Sequence, residues 1–346
     1  MDLLKKSFNE IAKAIKSKKI SAVEVTDFFL KRIEKHNEKL NSFIFINPRA
    51  KEDAKIIDEK IFKNEDPGIL AGVPWGIKDM FCTHGLPTTA ASKILNGFIP
   101  PYDATAVAKL KKNGVVILGK LNQDEFAMGS SNENSFFGAV KNPWNLNHTT
   151  GGSSGGSAAA QAARLCAGTT GTDTGGSIRQ PANFCGVVGI KPTYGRISRY
   201  GIISYASSLD QAGPITSCVE DAALALEVMC GYDEKDSTTS NNIVPEFSKK
   251  LNINMNGIKI GIIREYMNSS LDIDVEKTIQ SAINLLRKNG AEIIEISIPL
   301  IQYAVPIYYL ISTSEASSNL SRYDGVKYGY RADFKNFSSI DLEEFL

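Results

Sequence analysis

An α/β fold is expected of this chain. Three observations carry that expectation. Short apolar runs alternate with amphipathic stretches, Asn-Gly pairs stop two of those stretches just before a strand-like run, and two glycine- and serine-rich loops interrupt the pattern. Alternating strands and helices of this kind place helices on the faces of a sheet.

The first fifty residues read as helical. Ser21 and Glu24 have capping-box spacing, which satisfies orphan N–H groups at a helix start. Val25, Phe28, Phe29 and Ile33 then form one apolar stripe at helical period, with basic residues toward its end. From Leu70 the character changes, and the division predicted is a helical segment over 1–65 packing on an α/β core over 66–346. Val73-Pro-Trp-Gly-Ile-Lys78 is short, apolar and bounded by Gly and Pro, so it reads as a strand. Ala104–Lys112 reads as a helix, Asn113-Gly114 as its stop and Val115–Leu118 as a buried strand. The same grammar returns later: Ile258–Ile263 as strand, Val275–Lys288 as helix, Asn289-Gly290 as stop, Ala291–Ile296 as strand. Residues 234–256 are the most loop-like, and Gln211–Pro214 reads as a turn entering a strand.

Bulk composition excludes several functions. The 346 residues carry a net charge of +1, with 22% charged and 42% hydrophobic residues, an ordinary globular balance. There is no basic footprint for autonomous nucleic-acid binding. No apolar run reaches the roughly 18 to 20 residues of a membrane span, and the N-terminus does not read as a signal peptide. Five cysteines without a C-x-x-C pair read as reduced thiols of a cytosol-like compartment rather than disulfides or a zinc site.

The chemistry concentrates in two loops. Gly151-Gly-Ser-Ser-Gly-Gly-Ser157 lets backbone approach something closely and opens onto a helix expected at Ser157–Arg164. It lacks the Gly-Lys-Ser/Thr of a phosphate loop and the spacing of a dinucleotide fingerprint. Thr172-Asp-Thr-Gly-Gly-Ser-Ile-Arg179 follows, with Ser177 placed 24 positions after Ser153. Its run of small residues offers N–H groups that can hold an oxyanion beside a serine nucleophile. The chain has three histidines, His36, His84 and His148, and none adjoins a serine-glycine turn. A serine here therefore needs another base. Lys78, ending an apolar strand in Gly76-Ile-Lys-Asp-Met80, is the candidate. Burial disfavours an ammonium and lowers its pKa toward the range in which a lysine can accept a proton. Asp173 and Arg179 read either as an ion pair orienting the loop or as capping groups.

These motifs, together with Gly189-Ile-Lys-Pro-Thr-Tyr-Gly-Arg-Ile-Ser198, resemble the amidase signature family, whose catalytic unit is Ser–cis-Ser–Lys. The resemblance runs from Leu70 onward. It implies a mixed central β-sheet covered by helices on both faces. It makes Ser177 the nucleophile, Ser153 the bridging serine after a cis peptide, and Lys78 the base. Thr174, Gly175, Gly176 and Ser177 would supply the oxyanion hole, and Gly129, Tyr308 and Tyr309 would contact substrate. Within the family, Asp124–Ser135, Tyr205–Pro214, Asp233–Thr238 and Ser314–Gly325 resemble the branch that hydrolyses glutamine for tRNA-dependent amidotransferases. That branch implies no cofactor or metal on this chain. It implies two partners, the amidotransferase B and C subunits, with ATP and Mg²⁺ used on the B subunit to activate misacylated Glu-tRNA(Gln). It also implies a cytoplasmic or organellar-matrix setting. Members continue past Leu346, so a C-terminal part is expected to be missing, and Asp341–Leu346 reads as the start of a helix. A stand-alone small-amide amidase and a non-catalytic fragment are the alternatives.

Overall fold

The computed structural model describes residues 2–267 and 271–331; the helix start expected at 341–346 lies outside them. The chain divides at Ser248/Lys249 and at Ser314/Glu315 into two compact units.

The larger unit opens with α1 (Phe8–Lys16) and α2 (Ala22–Leu40). Ser21 and Glu24 form the predicted capping box, and Val25, Phe29 and Ile33 are buried. The helical reading of the first fifty residues fails at β1 (Phe43–Ile46), where Phe-Ile-Phe-Ile pairs antiparallel to β3 (Val116–Leu121). A four-residue β-branched and aromatic run favours a pleated edge over another helical turn. After α3 (Ala50–Phe62) come β2 (Pro74–Lys78), α4 (Thr105–Lys112) and β3. Gly114, at φ +88°, supplies the predicted stop after α4. Then follow α5 (Gly155–Ala162), β4 (Gly168–Asp173), α6 (Arg179–Phe184), β5 (Val188–Gly189), β6 (Gln211–Thr216) and α7 (Val219–Met229). The turn expected at Gln211–Pro214 is instead the body of β6, hydrogen-bonded to both β4 and β5 and wholly buried.

The sheet order is β1-β3-β2-β4-β6-β5. β3, β2 and β4 run parallel, and the flanking pairs are antiparallel. Every residue of β2, β3, β4 and β6 is buried, so helices cover both faces, as expected of strands without a solvent side. Because β2 and β4 are parallel neighbours, their C-terminal ends open at the same edge of the sheet. Open α/β sheets bind ligands at that edge.

The smaller unit holds β7 (Lys259–Ile263), α8 (Ile273–Lys288) and β8 (Glu292–Ile296), a parallel strand pair joined through a helix. Asp272 caps α8 and Gly290, at φ +96°, follows its end. The last helix, α9, spans Ala304–Leu320.

Candidate active site

Lys78 is the last residue of β2, and its side chain is fully buried. Its amine lies 2.7 Å from Ser153 Oγ, 2.9 Å from Ser154 Oγ and 2.8 Å from Thr172 Oγ1. Its own N–H donates to Thr170 Oγ1, so the end of β2 is tied to β4 by side chain as well as by ladder. Burial lowers the Lys78 pKa to about 7, with the charges of Asp124, Asp173 and Asp210 opposing the shift. A neutral amine donates two hydrogen bonds and accepts one. Three hydroxyls therefore satisfy it without any partner having to carry a charge.

The Gly152–Ser153 peptide is cis. The loop is held from several sides: Gly152 N–H donates to Gln180 Oε1, Ser153 carbonyl accepts from Asp124 N–H, and Ser154 N–H donates to the carbonyl of Ser177. Gly156, in the first turn of α5, allows the helix to sit against the end of β3. A Cβ there would fall 2.3 Å from the carbonyl oxygen of Asn122 and 2.8 Å from that of Ser42.

Ser177 follows β4 by four residues and, at 9% exposure, is the most accessible of the three predicted catalytic side chains. Its hydroxyl has no hydrogen bond among the described residues. Asp173 shapes its loop. The buried carboxylate accepts from the N–H groups of Gly176, Ile178 and Arg179, and binds the Arg179 guanidinium at 3.0 Å through both oxygens. The ion-pair reading holds; the N-cap residue of α6 is Ile178, with no side-chain cap of its own. Arg179 and these N–H groups keep the Asp173 pKa below the ordinary carboxylate value against the effect of burial.

Of the four expected oxyanion donors, Gly176 already gives its N–H to Asp173. The N–H groups of Thr174, Gly175 and Ser177 have no acceptor among the described residues. The Thr174 hydroxyl donates to Asp210 Oδ1 at 2.6 Å, which fixes the start of the loop. Gly129 is exposed and backs onto Asp124: a Cβ there would come 2.3 Å from the carboxylate. Tyr308 and Tyr309 belong to the smaller unit, where their rings meet edge-on at 5.4 Å.

Sequence reasoning missed Ser154, Thr172 and Asp124 as neighbours of the lysine. Ser154 and Thr172 sit within the two motifs, but nothing in a one-dimensional string says which hydroxyls of a serine-threonine run turn inward. The histidines make no hydrogen bond to a serine among the described residues. Nor is there, among those residues, any cluster of three or more His, Cys, Asp or Glu side chains able to hold a metal ion. No described helix is long and apolar enough to cross a membrane.

Known proteins resemble this chain in sequence and in fold. Residues 24–344 match the amidase family. The chain is 64% identical over its whole length to the glutamyl-tRNA(Gln) amidotransferase A subunit of Bdellovibrio bacteriovorus, covering 70% of that protein. It is 54% identical to the protein of the same name from Geotalea daltonii, over 96% of this chain and 68% of that one. Among solved structures, the glutamyl-tRNA(Gln) amidotransferase A subunit of Thermotoga maritima superposes with a TM-score of 0.83 at 40% identity, over 93% of this chain and 68% of that one. The peptide amidase of Stenotrophomonas maltophilia superposes with a TM-score of 0.87 at 30% identity, over 95% of this chain and 69% of that one.

Proposed function

This chain belongs to the amidase signature family, and we propose that it is the glutamine-hydrolysing subunit of a tRNA-dependent amidotransferase. The observation that carries the reading is the buried, near-neutral Lys78 amine against the Ser153 hydroxyl. The 64% identity to a protein of that name selects glutamine among amide substrates.

In this reading Ser177 Oγ attacks the side-chain carbonyl carbon of glutamine. The Ser177 proton moves to Ser153 as the Ser153 proton moves to the Lys78 amine. The carbonyl π electrons move to oxygen, and free N–H groups of the 174–177 loop hold the oxyanion that forms. Loss of one such donor typically costs about 3–4 kcal/mol of barrier. The C–N bond then breaks, the relay returns a proton to the leaving nitrogen, and ammonia departs from a γ-glutamyl ester on Ser177. Water, deprotonated through the same relay, hydrolyses the ester to glutamate and restores Ser177.

The ammonia passes to the partner B subunit, which uses ATP and Mg²⁺ to activate the glutamyl group of misacylated Glu-tRNA(Gln), while the C subunit braces the pair. This chain's own chemistry needs no cofactor. Its setting is the cytoplasm, where aminoacyl-tRNA is made. Gly129, Tyr308 and Tyr309 would contact the glutamine. Ser177→Ala in the assembled complex should abolish glutamine-dependent amidation while ammonia-dependent amidation persists. Glutamine-dependent activity surviving that change would refute the nucleophile assignment.

A second reading, a stand-alone amidase of small amides, draws on the superposition with the peptide amidase. Co-purification with B and C subunits separates the two.

A further inference from the structure

Asp124 lies three residues beyond the end of β3 and is 1% exposed. Its main-chain N–H donates to the carbonyl of Ser153 at 3.2 Å. Its carboxylate is walled by two glycines. A Cβ on Gly152 would fall 1.9 Å from one oxygen, and a Cβ on Gly129 2.3 Å from the other. Neither oxygen closes a hydrogen bond of ordinary geometry with a described residue, although the N–H groups of Asn132 and Glu133 are turned toward it. Burial raises the pKa of a carboxylate in this condition, and a nearby cation favours its charged form.

The other two carboxylates that act on Lys78 are already compensated. Asp173 holds Arg179 and three N–H groups. Asp210 accepts from Thr174 and from the N–H groups of Tyr205 and Ala206, with Arg199 nearby in charge. The Asp124 carboxylate closes no ion pair or hydrogen bond of ordinary geometry among the described residues, and among these three its charge acts most strongly on the amine.

We propose that Asp124 is a positioning residue of the Ser–Lys relay: its N–H tethers Ser153 and its carboxylate is the fixed counter-charge of the Lys78 amine. The inference rests on Lys78 being the proton acceptor of the proposed mechanism. It explains why two glycines surround this side chain, since any larger residue at 152 would drive the carboxylate away from the loop it holds. It also explains how a fully buried lysine remains a useful base. Without a counter-charge, a buried amine falls to about 5–6, where it is a poor acceptor for a serine proton. Burial pulls the Lys78 pKa down and the charges of Asp124, Asp173 and Asp210, Asp124 foremost, oppose that pull, so it stays at about 7. Burial raises the Asp124 pKa; the N–H of Asn132, the charge of Lys78 and the N–H of Glu133 act the other way and favour its ionised form, while the like charge of Glu133 opposes it.

The test reads the lysine directly. The full chain is prepared with ¹³C-labelled lysine, and the Lys78 side-chain resonance is identified by its loss in Lys78→Met. Its pH titration is then followed by NMR without glutamine. In Asp124→Asn the midpoint should move down by about one pH unit, with a cooperative melt retained. A purely structural Asp124 would change the melt or the turnover rate and leave the midpoint where it is; an unmoved midpoint overturns the proposal. Asp124→Ser, smaller and equally uncharged, decides the matter if the Asn variant does not fold. Because no substrate is present, a wild-type protein that fails to hydrolyse glutamine would sink the functional reading while the titration still answers this question.

Discussion

Thr172 Oγ1 stands 2.8 Å from the Lys78 amine, across the junction between the parallel strands β2 and β4. It is a third hydroxyl on the lysine, beside Ser153 and Ser154, and the only one of the three supplied by a strand. That placement makes it a rigid reference for the amine, whereas the two serines ride on the cis loop.

Replacing Thr172 by Val keeps the shape and deletes this contact. Removing one partner of a buried polar group costs about 1–3 kcal/mol. Glutamine turnover should therefore fall by about tenfold to a hundredfold with KM little changed. Steady-state glutaminase kinetics, with a thermal melt to confirm folding, provide the measurement.

The pH profile should carry the signature of Lys78. Only the neutral amine accepts the Ser153 proton, and its pKa is about 7. The value of kcat/KM for glutamine should therefore drop tenfold per pH unit below about pH 7 and level off above it. A histidine-based relay would instead disappear in a variant lacking all three histidines. Here the triple substitution of His36, His84 and His148 should leave the limb in place.

The same pKa makes a statement about stability. The folded pKa is depressed below the ordinary lysine value of 10.5. Between about pH 7 and 10.5 the unfolded chain binds a proton that the folded chain does not. Stability from this group therefore rises with pH across that window and is flat below it, by about 1.4 kcal/mol per pH unit. Lys78→Met lacks the term. Urea denaturation should find the wild type losing stability relative to Lys78→Met as the pH falls from 10 to 7, with the gap constant at lower pH.

Asp173 and Arg179 should respond unequally. Without Arg179, Asp173 still accepts three N–H bonds; without Asp173, those three donors lose their acceptor. Asp173→Ala should cost about 2–4 kcal/mol, and Arg179→Ala, whose side chain is 56% exposed, about 1 kcal/mol. Denaturant melts measure both. Labelling of Ser177 by a fluorophosphonate should be slowed far more by the first change.

Gly156→Ala should be among the most damaging one-carbon additions in the chain. The new Cβ would meet the backbone carbonyl of Asn122 at 2.3 Å, a neighbour that cannot swing aside. Overpacking of this kind costs about 1–3 kcal/mol or more, and the helix would be pushed off the cis loop that precedes it. A lowered melting temperature together with loss of Ser177 labelling is the expected outcome.

Much was legible in the linear string, and each success had a local cause. The Ser21 capping box and the glycine stops at Gly114 and Gly290 depend on neighbours within a few positions. The Lys78–Ser153 contact joins a strand end and a short motif that the string had already marked out. The errors were also local in origin. Phe43–Ile46 and Gln211–Pro214 are short, and only pairing with distant strands decides that they are β.

The order of residues along the chain dictates which chemical groups are available: one lysine at a strand end, two serine-glycine loops, and no histidine to serve them. Folding supplies the rest, because β2 and β4 become neighbours only when the sheet assembles. That assembly buries the Lys78 amine, which shifts its proton affinity. It selects Ser154 and Thr172 from many hydroxyls as its partners, and sets Asp124 against Gly152 and Gly129. Burial and through-space charge are properties of the packed chain, and no spacing along the backbone encodes them.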